Sequence, residues 1–225
     1  MCANFNIPVS EGWPNHFDVR AAPRFRAFIE EHLAALKQYD AQRPEDITYI
    51  FHEHAQRVAN DVKQTCLHMG LGDLVADNMY WAVLPHDIGK CKLPLDVWDS
   101  EEKPDDGAKK FRRTHTLLGA QIVQELLHDI EHPFKDLMIE IMAYHHEQLD
   151  GNGTHGLSGD RLSQPVRLAA IVEAYDGYRI WRPHFGDRDI TPAGVLKRMR
   201  EEKGAAIFDI ELLEAFTYMK LGEAS

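Results

Sequence analysis

After Pro23, the apolar residues Phe25, Phe28, Ile29, Leu33 and Leu36 recur every three to four positions, the period of one helix face. A second periodic stretch opens near Pro44 and closes at Gly70, with Ile47, Ile50, Phe51, Val58, Val62 and Cys66 as its stripe. A third runs from about Asp73 to Leu84 and breaks at Pro85. A fourth covers about Lys109 to Leu127, with Phe111, Leu118, Ile122 and Leu126 expected inward. A fifth opens at Pro133 and carries Phe134, Leu137, Met138 and Ile141. A sixth follows Pro165 with Leu168, Ile171, Val172 and Tyr175, and two more open at Thr191-Pro192 and at Asp209. Proline at the start and glycine past the end punctuate these segments as helices. No stretch alternates apolar and polar residues between hairpin turns, so no strand is predicted. The long irregular pieces are Cys91–Gly107 and the glycine-rich Leu149–Gln164. Long loops in compact domains often carry function. The pattern predicts one all-α domain over residues 46–225, preceded by a helical extension over residues 1–45.

Composition narrows the classes. The chain has 225 residues, 44% of them hydrophobic and 27% charged, which suits a globular domain with a real core. A net charge of -11 removes the basic surface that long nucleic acids require. The one basic run, KKFRR from Lys109 to Arg113, reads as a solvated helix start. No apolar run approaches the ~20 residues of a membrane span. The N-terminal stretch MCANFNIPVSEGWPNHFD lacks the basic and apolar regions of a secretory signal. Cys2, Cys66 and Cys91 are too widely spaced for a disulfide framework or zinc finger. A cytoplasmic protein bound to neither membrane nor long nucleic acid is expected.

The thirteen histidines change the picture. HDIGKCKLP, from His86 to Pro94, follows the apolar run MYWAVL with only Pro85 between. An aspartate at the end of a buried segment needs a counter-charge or a metal. His54 lies on the stripe 47, 51, 54, 58, 62, whereas His52 points about 200° away. His115 lies on 111, 115, 118, 122, 126, and Gly119 leaves room beside it. His145 continues 134, 138, 141, with His146 flanking it, and Glu173 and Asp176 share a face. Any one of these reads as a hydrogen-bonded core residue. Five imidazoles and two or more carboxylates converging in a helical core are costly without a cation. With one, they form a nitrogen and oxygen donor set for divalent metal. Seven donors exceed one tetrahedral zinc and suit two ions that share a carboxylate.

The motifs HAQRVA at His54, HDIGKCKLP at His86, HTLLGAQIV at His115, HHEQLDGNG at His145 and VRLAAIVEAYDGYRIWRP fall in a familiar order. Over about residues 48 to 216 the chain resembles the HD superfamily of metal-dependent phosphohydrolases, within it the HD-GYP branch. The resemblance implies an HD-domain helical bundle with additional C-terminal helices. It implies cyclic di-GMP hydrolysis at a two- or three-metal centre, often iron or manganese. The implied ligands are His54, His86, Asp87, His115, His145, His146 and Glu173, with Asp176 as the fallback. Three departures stand out. After Asp150-Gly151-Asn152-Gly153, the chain reads Thr154-His155-Gly156-Leu157 in place of the GYP signature. Glu173 takes the place of the family's ligating aspartate. Ile50 occupies a position where some trinuclear members carry glutamate, which favours two ions.

The expected activity is metal-assisted hydrolysis of a small nucleotide phosphodiester, cyclic di-GMP or a related cyclic dinucleotide favoured. Asp87 would bridge the ions, with His54, His86 and the acid of the sixth helix on one side and His115, His145 and His146 on the other. Lys90 contacts a phosphate oxygen or is a solvated loop lysine. Asp150 closes the pocket mouth or forms a surface turn. Arg182, of the pair Arg182-Pro183, orients phosphate or pairs with a nearby acid. Tyr175, Tyr178 and Trp181 stack a base or belong to the core. The alternatives are a catalytically weak metal- or nucleotide-binding signalling module and a phosphohydrolase of mononucleotides. A homodimer or an external regulatory partner is the expected assembly.

Overall fold

The computed structural model describes residues 12–99, 103–181 and 186–222. The helices are α1 (Pro23–Asp40), α2 (Phe51–His68), α3 (Gly72–Val83), α4 (Asp106–Arg113), α5 (His115–Leu126), α6 (Pro133–Tyr144), α7 (Gln164–Arg179), α8 (Pro192–Arg198), α9 (Gly204–Ile207) and α10 (Ile210–Leu221). No strand occurs among the described residues; a single bridge joins Asp150 to Ser158. None of the described helices is long and apolar enough to cross a membrane.

Side-chain caps set several starts. Ser163, Thr191 and Asp209 accept from the backbone N–H groups of Val166, Gly194 and Leu212, so α7, α8 and α10 begin where their turn chemistry ends. The apolar faces of α1, α2, α3, α6, α7 and α10 meet in one buried cluster, with Phe25, Val58, Met79, Met138, Ile171 and Phe216 among its members. α1 therefore shares its core with the later helices.

Two boundaries differ from the sequence pattern. The helix expected from Pro44 starts at Phe51, because Asp40 at the end of α1 accepts from the N–H groups of Phe51 and His52 and caps α2 from a distance. Ile47 and Ile50 precede the helix, where they are half-buried. The helix expected over Lys109–Leu127 divides at Thr114, whose N–H and hydroxyl both donate to the Phe111 carbonyl and close α4. The inward face of α5 is then His115, Thr116, Gly119, Ala120, Ile122 and Val123. Phe111 and Leu126, expected inward, are 46% and 55% exposed.

Past α3, Pro85 breaks the helix, and the chain turns through the 3-10 segment Ile88–Lys92, which lies on α5. This contact needs a glycine at position 89. A Cβ on Gly89 would collide with the His115 carbonyl oxygen and lie 2.5 Å from the Gly119 nitrogen. The neighbours are backbone atoms of a packed helix, so they yield little. Gly89→Ala is expected to cost about 3 kcal/mol or more, read as a lowered urea midpoint. Gly177 in α7 has open space around its Cβ position, and Gly177→Ala is expected to gain up to about 1 kcal/mol. A Gly89→Ala midpoint equal to wild type would remove the close approach as a constraint.

Candidate metal centre

The break after α3 delivers His86 and Asp87 beneath the floor of a cavity, opposite the start of α5 and the end of α6. Three histidines there are oriented in the same way. The Nδ1 of His86 lies 2.9 Å from the Val83 carbonyl, that of His115 2.6 Å from the Arg112 carbonyl, and that of His145 3.1 Å from the Ile141 carbonyl. A carbonyl only accepts, so each Nδ1 donates and each Nε2 is turned inward as a potential ligand atom. The Nε2 atoms of His115 and His145 face one another at 3.3 Å. Burial, the largest influence, holds the His145 imidazole well below its ordinary range. Burial likewise brings His146, half-buried beside His145, down to about 3.

Asp87 is fully buried between two groups of donors. Its Oδ1 faces the Nε2 of His115 at 3.2 Å and of His145 at 3.9 Å; its Oδ2 faces the Nε2 of His86 at 3.6 Å and of His54 at 3.7 Å. Burial alone would raise its pKa, but Lys90, His86 and His115 outweigh burial and hold it well below the usual carboxylate range. Two sets of donor atoms, His54 with His86 and Asp87, and His115 with His145 and His146, each lie within 4.8 Å of one another. His86 Nε2 and Asp87 Oδ1 are buried without a hydrogen bond. Inward-turned imidazole nitrogens and an under-satisfied carboxylate oxygen are costly in a low-dielectric core, and a divalent cation would turn them all into ligands. The residues present fit metal.

The two acids of α7 divide their work. Glu173 Oε2 lies 2.6 Å from His54 Nε2 and 3.3 Å from His86 Nε2, on the side of the ring that looks toward Asp87. Asp176 Oδ2 takes the opposite nitrogen, His54 Nδ1, at 2.6 Å, and Arg57 holds the same carboxylate at 2.8 and 2.9 Å. Burial opposes charge on His54, but Glu173 and Asp176 together raise its pKa to about 9. For Glu173, the His54 and His86 rings overcome burial and depress the carboxyl well below its usual range.

Above these groups opens a cavity of about 670 Å³, lined by Lys90, His115, His146 and Glu173 at its floor and by Tyr49, Trp98 and Trp181 among its walls. Lys90 is no solvated loop lysine: it is 3% exposed, and its Nζ donates to Asp87 Oδ2 at 2.5 Å. The ammonium also lies 4.2 Å from the Phe51 ring centroid, 4.9 Å from Tyr49 and 5.5 Å from Trp98, an aromatic cage that holds a cation. Tyr49, Trp98 and Arg57 carried no signal in the apolar periodicity, because they meet the site from loops or from an outer helix face. Trp181 is half exposed on the cavity wall, whereas Tyr175 is buried in the core. Asp150 is exposed, accepts from the backbone and side chain of Asn152, and is not among the residues lining the cavity. Arg182 and Pro183 lie outside the described residues. The Thr154-His155-Gly156 segment folds back on Glu147, whose carboxylate accepts from the N–H groups of His155 and Leu157. His155 Nε2 rests 3.3 Å from the Thr116 hydroxyl, and the segment does not line the cavity.

A family model described as HD domain matches residues 29–212. The 3'3'-cGAMP-specific phosphodiesterase 1 of Vibrio cholerae is 25% identical over 178 residues, covering 76% of this chain and 39% of that protein. The cyclic di-GMP phosphodiesterase of Thermotoga maritima is 24% identical over 166 residues, 73% of this chain and 43% of that protein. The chain thus spans less than half the length of these two curated relatives. Among solved structures, the HDG"Y"P protein Bd1817 from Bdellovibrio bacteriovorus superposes with a TM-score of 0.64 at 15% identity, over 88% of this chain and 64% of that one, a likeness of fold.

Proposed function

Because this chain belongs to the HD-domain family, we propose that it is a metal-dependent phosphodiesterase that hydrolyses a cyclic dinucleotide. The observation that carries the reading is the buried Asp87, faced on its two oxygens by two groups of inward-turned donors beneath an open cavity. His54, His86, Asp87 and Glu173 would hold one ion, and Asp87, His115, His145 and His146 a second. Mixed imidazole and carboxylate donors suit iron or manganese. When bound, such ions supply Lewis acidity and an activated water for attack on phosphorus. Lys90 presents its amino group at the cavity floor, where it would meet a non-bridging phosphate oxygen and limit the build-up of negative charge. Asp87 orients that ammonium, and the aromatic rings around it exclude bulk water. His115, His145 and His86 donate from Nδ1 to backbone carbonyls, which leaves their Nε2 atoms for the metal.

The relatives' activities on 3'3'-cGAMP and cyclic di-GMP support a cyclic dinucleotide as substrate. The placement of Thr154-His155-Gly156 outside the cavity lining supports relaxed selectivity among such dinucleotides. The two described cysteines, Cys66 and Cys91, are free thiols, which supports a cytoplasmic setting with its nucleotide pool. The test is a panel with the metal-loaded chain: bis(p-nitrophenyl) phosphate, 3'3'-cGAMP, cyclic di-GMP, cyclic di-AMP and mononucleotides. The generic diester and at least one cyclic dinucleotide should be cleaved, and His86→Ala should abolish both activities. A fully metallated protein that cleaves neither leaves a binding module as the better reading.

A further inference from the structure

The cavity has a second wall whose charge runs against the rest of the chain. The protein carries 25 Lys and Arg against 36 Asp and Glu, yet five Lys or Arg and three Asp or Glu line this cavity. One of the three acids, Asp99, is already held by Arg43 at 2.6 and 3.0 Å. Apart from Lys90 and Arg43, the basic residues all come from α4: Lys109, Arg112 and Arg113. The KKFRR run is therefore not merely a solvated helix start.

The three side chains are in different states. Arg112 Nε donates to the Val97 carbonyl, and its guanidinium lies 6.0 Å from the Trp98 ring centroid, which ties α4 to the wall that cages Lys90. Lys109 makes an exposed ion pair with Asp106 at 2.8 Å, weak enough to exchange for another anion. Arg113 is half-buried; its backbone carbonyl accepts from the Thr116 hydroxyl, but its guanidinium makes no hydrogen bond or ion pair with any described residue. It stands two residues before His115, so its backbone lies within about 7 Å of that ligand's backbone. A guanidinium without a partner, on the wall of an anion-attracting cavity and next to a metal ligand, is placed to receive an anion that the metal centre does not hold.

We propose that this face of α4 is a second phosphate site, with Arg113 as its main contact. The substrate would then be gripped at two phosphates, one over the metal centre and Lys90, the other against Arg113 and Lys109. The inference rests on the cyclic dinucleotide reading and deepens it: the site selects substrates with two phosphodiesters over those with one. Guanidinium suits this role because it offers two parallel donors to a phosphate.

The test compares wild type, Arg113→Ala and Arg113→Lys, all metal-loaded, on two substrates. One is the cyclic dinucleotide that wild type cleaves fastest; the other is bis(p-nitrophenyl) phosphate, which has a single phosphate. Arg113→Ala should raise KM for the dinucleotide about ten- to hundredfold, with kcat nearly kept, and the loss of kcat/KM should exceed that on the single-phosphate diester by about tenfold or more. Arg113→Lys should fall between. Equilibrium dialysis of the same dinucleotide against metal-stripped protein should show the same order without turnover. Equal losses on both substrates, or unchanged dinucleotide affinity in Arg113→Ala, would overturn the second site while leaving the phosphodiesterase intact. A wild-type protein that neither binds nor cleaves any cyclic dinucleotide would overturn the substrate reading, and the second site with it.

Discussion

In an Asp87→Asn protein, metal content is expected to fall from about two ions per chain to below one, and phosphodiesterase activity to fall with it by about a thousandfold or more. The side chain keeps its size, so packing is little disturbed. What it loses is the charge, together with one of two acceptor oxygens that look in different directions. Oδ1 is shared with His115 and His145, and Oδ2 with His86, His54 and Lys90. Among the described residues, Glu173 and Asp176 make their close imidazole contacts with His54 and His86. Asp87→Ala should lose metal as well, but it also leaves Lys90 buried without its counter-ion, at a cost of about 3–5 kcal/mol. The asparagine variant separates loss of ligand from loss of fold, and its urea midpoint should stay closer to wild type. Elemental analysis after anaerobic purification, with iron and manganese supplied, decides the matter. A full metal complement in Asp87→Asn would mean that Asp87 does not bridge.

The periodic stripes located α1, α6 and α7 because each of these helices buries one face against a common core, and burial is what the apolar period records. The same record brought His54, His115 and His145 to the interior, since each sits on such a stripe. It misplaced the start of α2 because the cap is Asp40, eleven residues before Phe51 and on another helix. It joined α4 to α5 because a break made by one threonine's hydrogen bonds leaves the spacing of apolar residues unchanged. The centre's outer parts were harder to read. Lys90 is caged by Tyr49, Phe51 and Trp98, which come from two separate stretches of the chain, and only the folded structure brings them together. The α4 residues were visible as a charge run, but which way that run points depends on the turn at Thr114.

The sharpest remaining question within the centre is which acid of α7 ligates, and the expected order is unequal. Glu173→Gln should weaken metal binding by more than about a hundredfold, whereas Asp176→Asn should weaken it about ten- to a hundredfold. The reason is the side of His54 that each acid occupies. A ligating imidazole offers one nitrogen to the metal and donates the other N–H to an outer acceptor. The nitrogen that faces Asp87 is Nε2, and Glu173 stands beside it, within 3.3 Å of His86 Nε2 as well. Asp176 takes Nδ1 and is itself fixed by Arg57, so it orients the ring from behind. Removing its charge loosens the ring and its tautomer but leaves the donor atoms in place. Arg57→Ala should then resemble Asp176→Asn in its effect on metal affinity, because Arg57 acts through that carboxylate. Competition against a fluorescent chelator measures all three variants on one scale. If Asp176→Asn lost more metal than Glu173→Gln, the ligand would be Asp176, and the longer arm of Glu173 would serve to orient the rings instead.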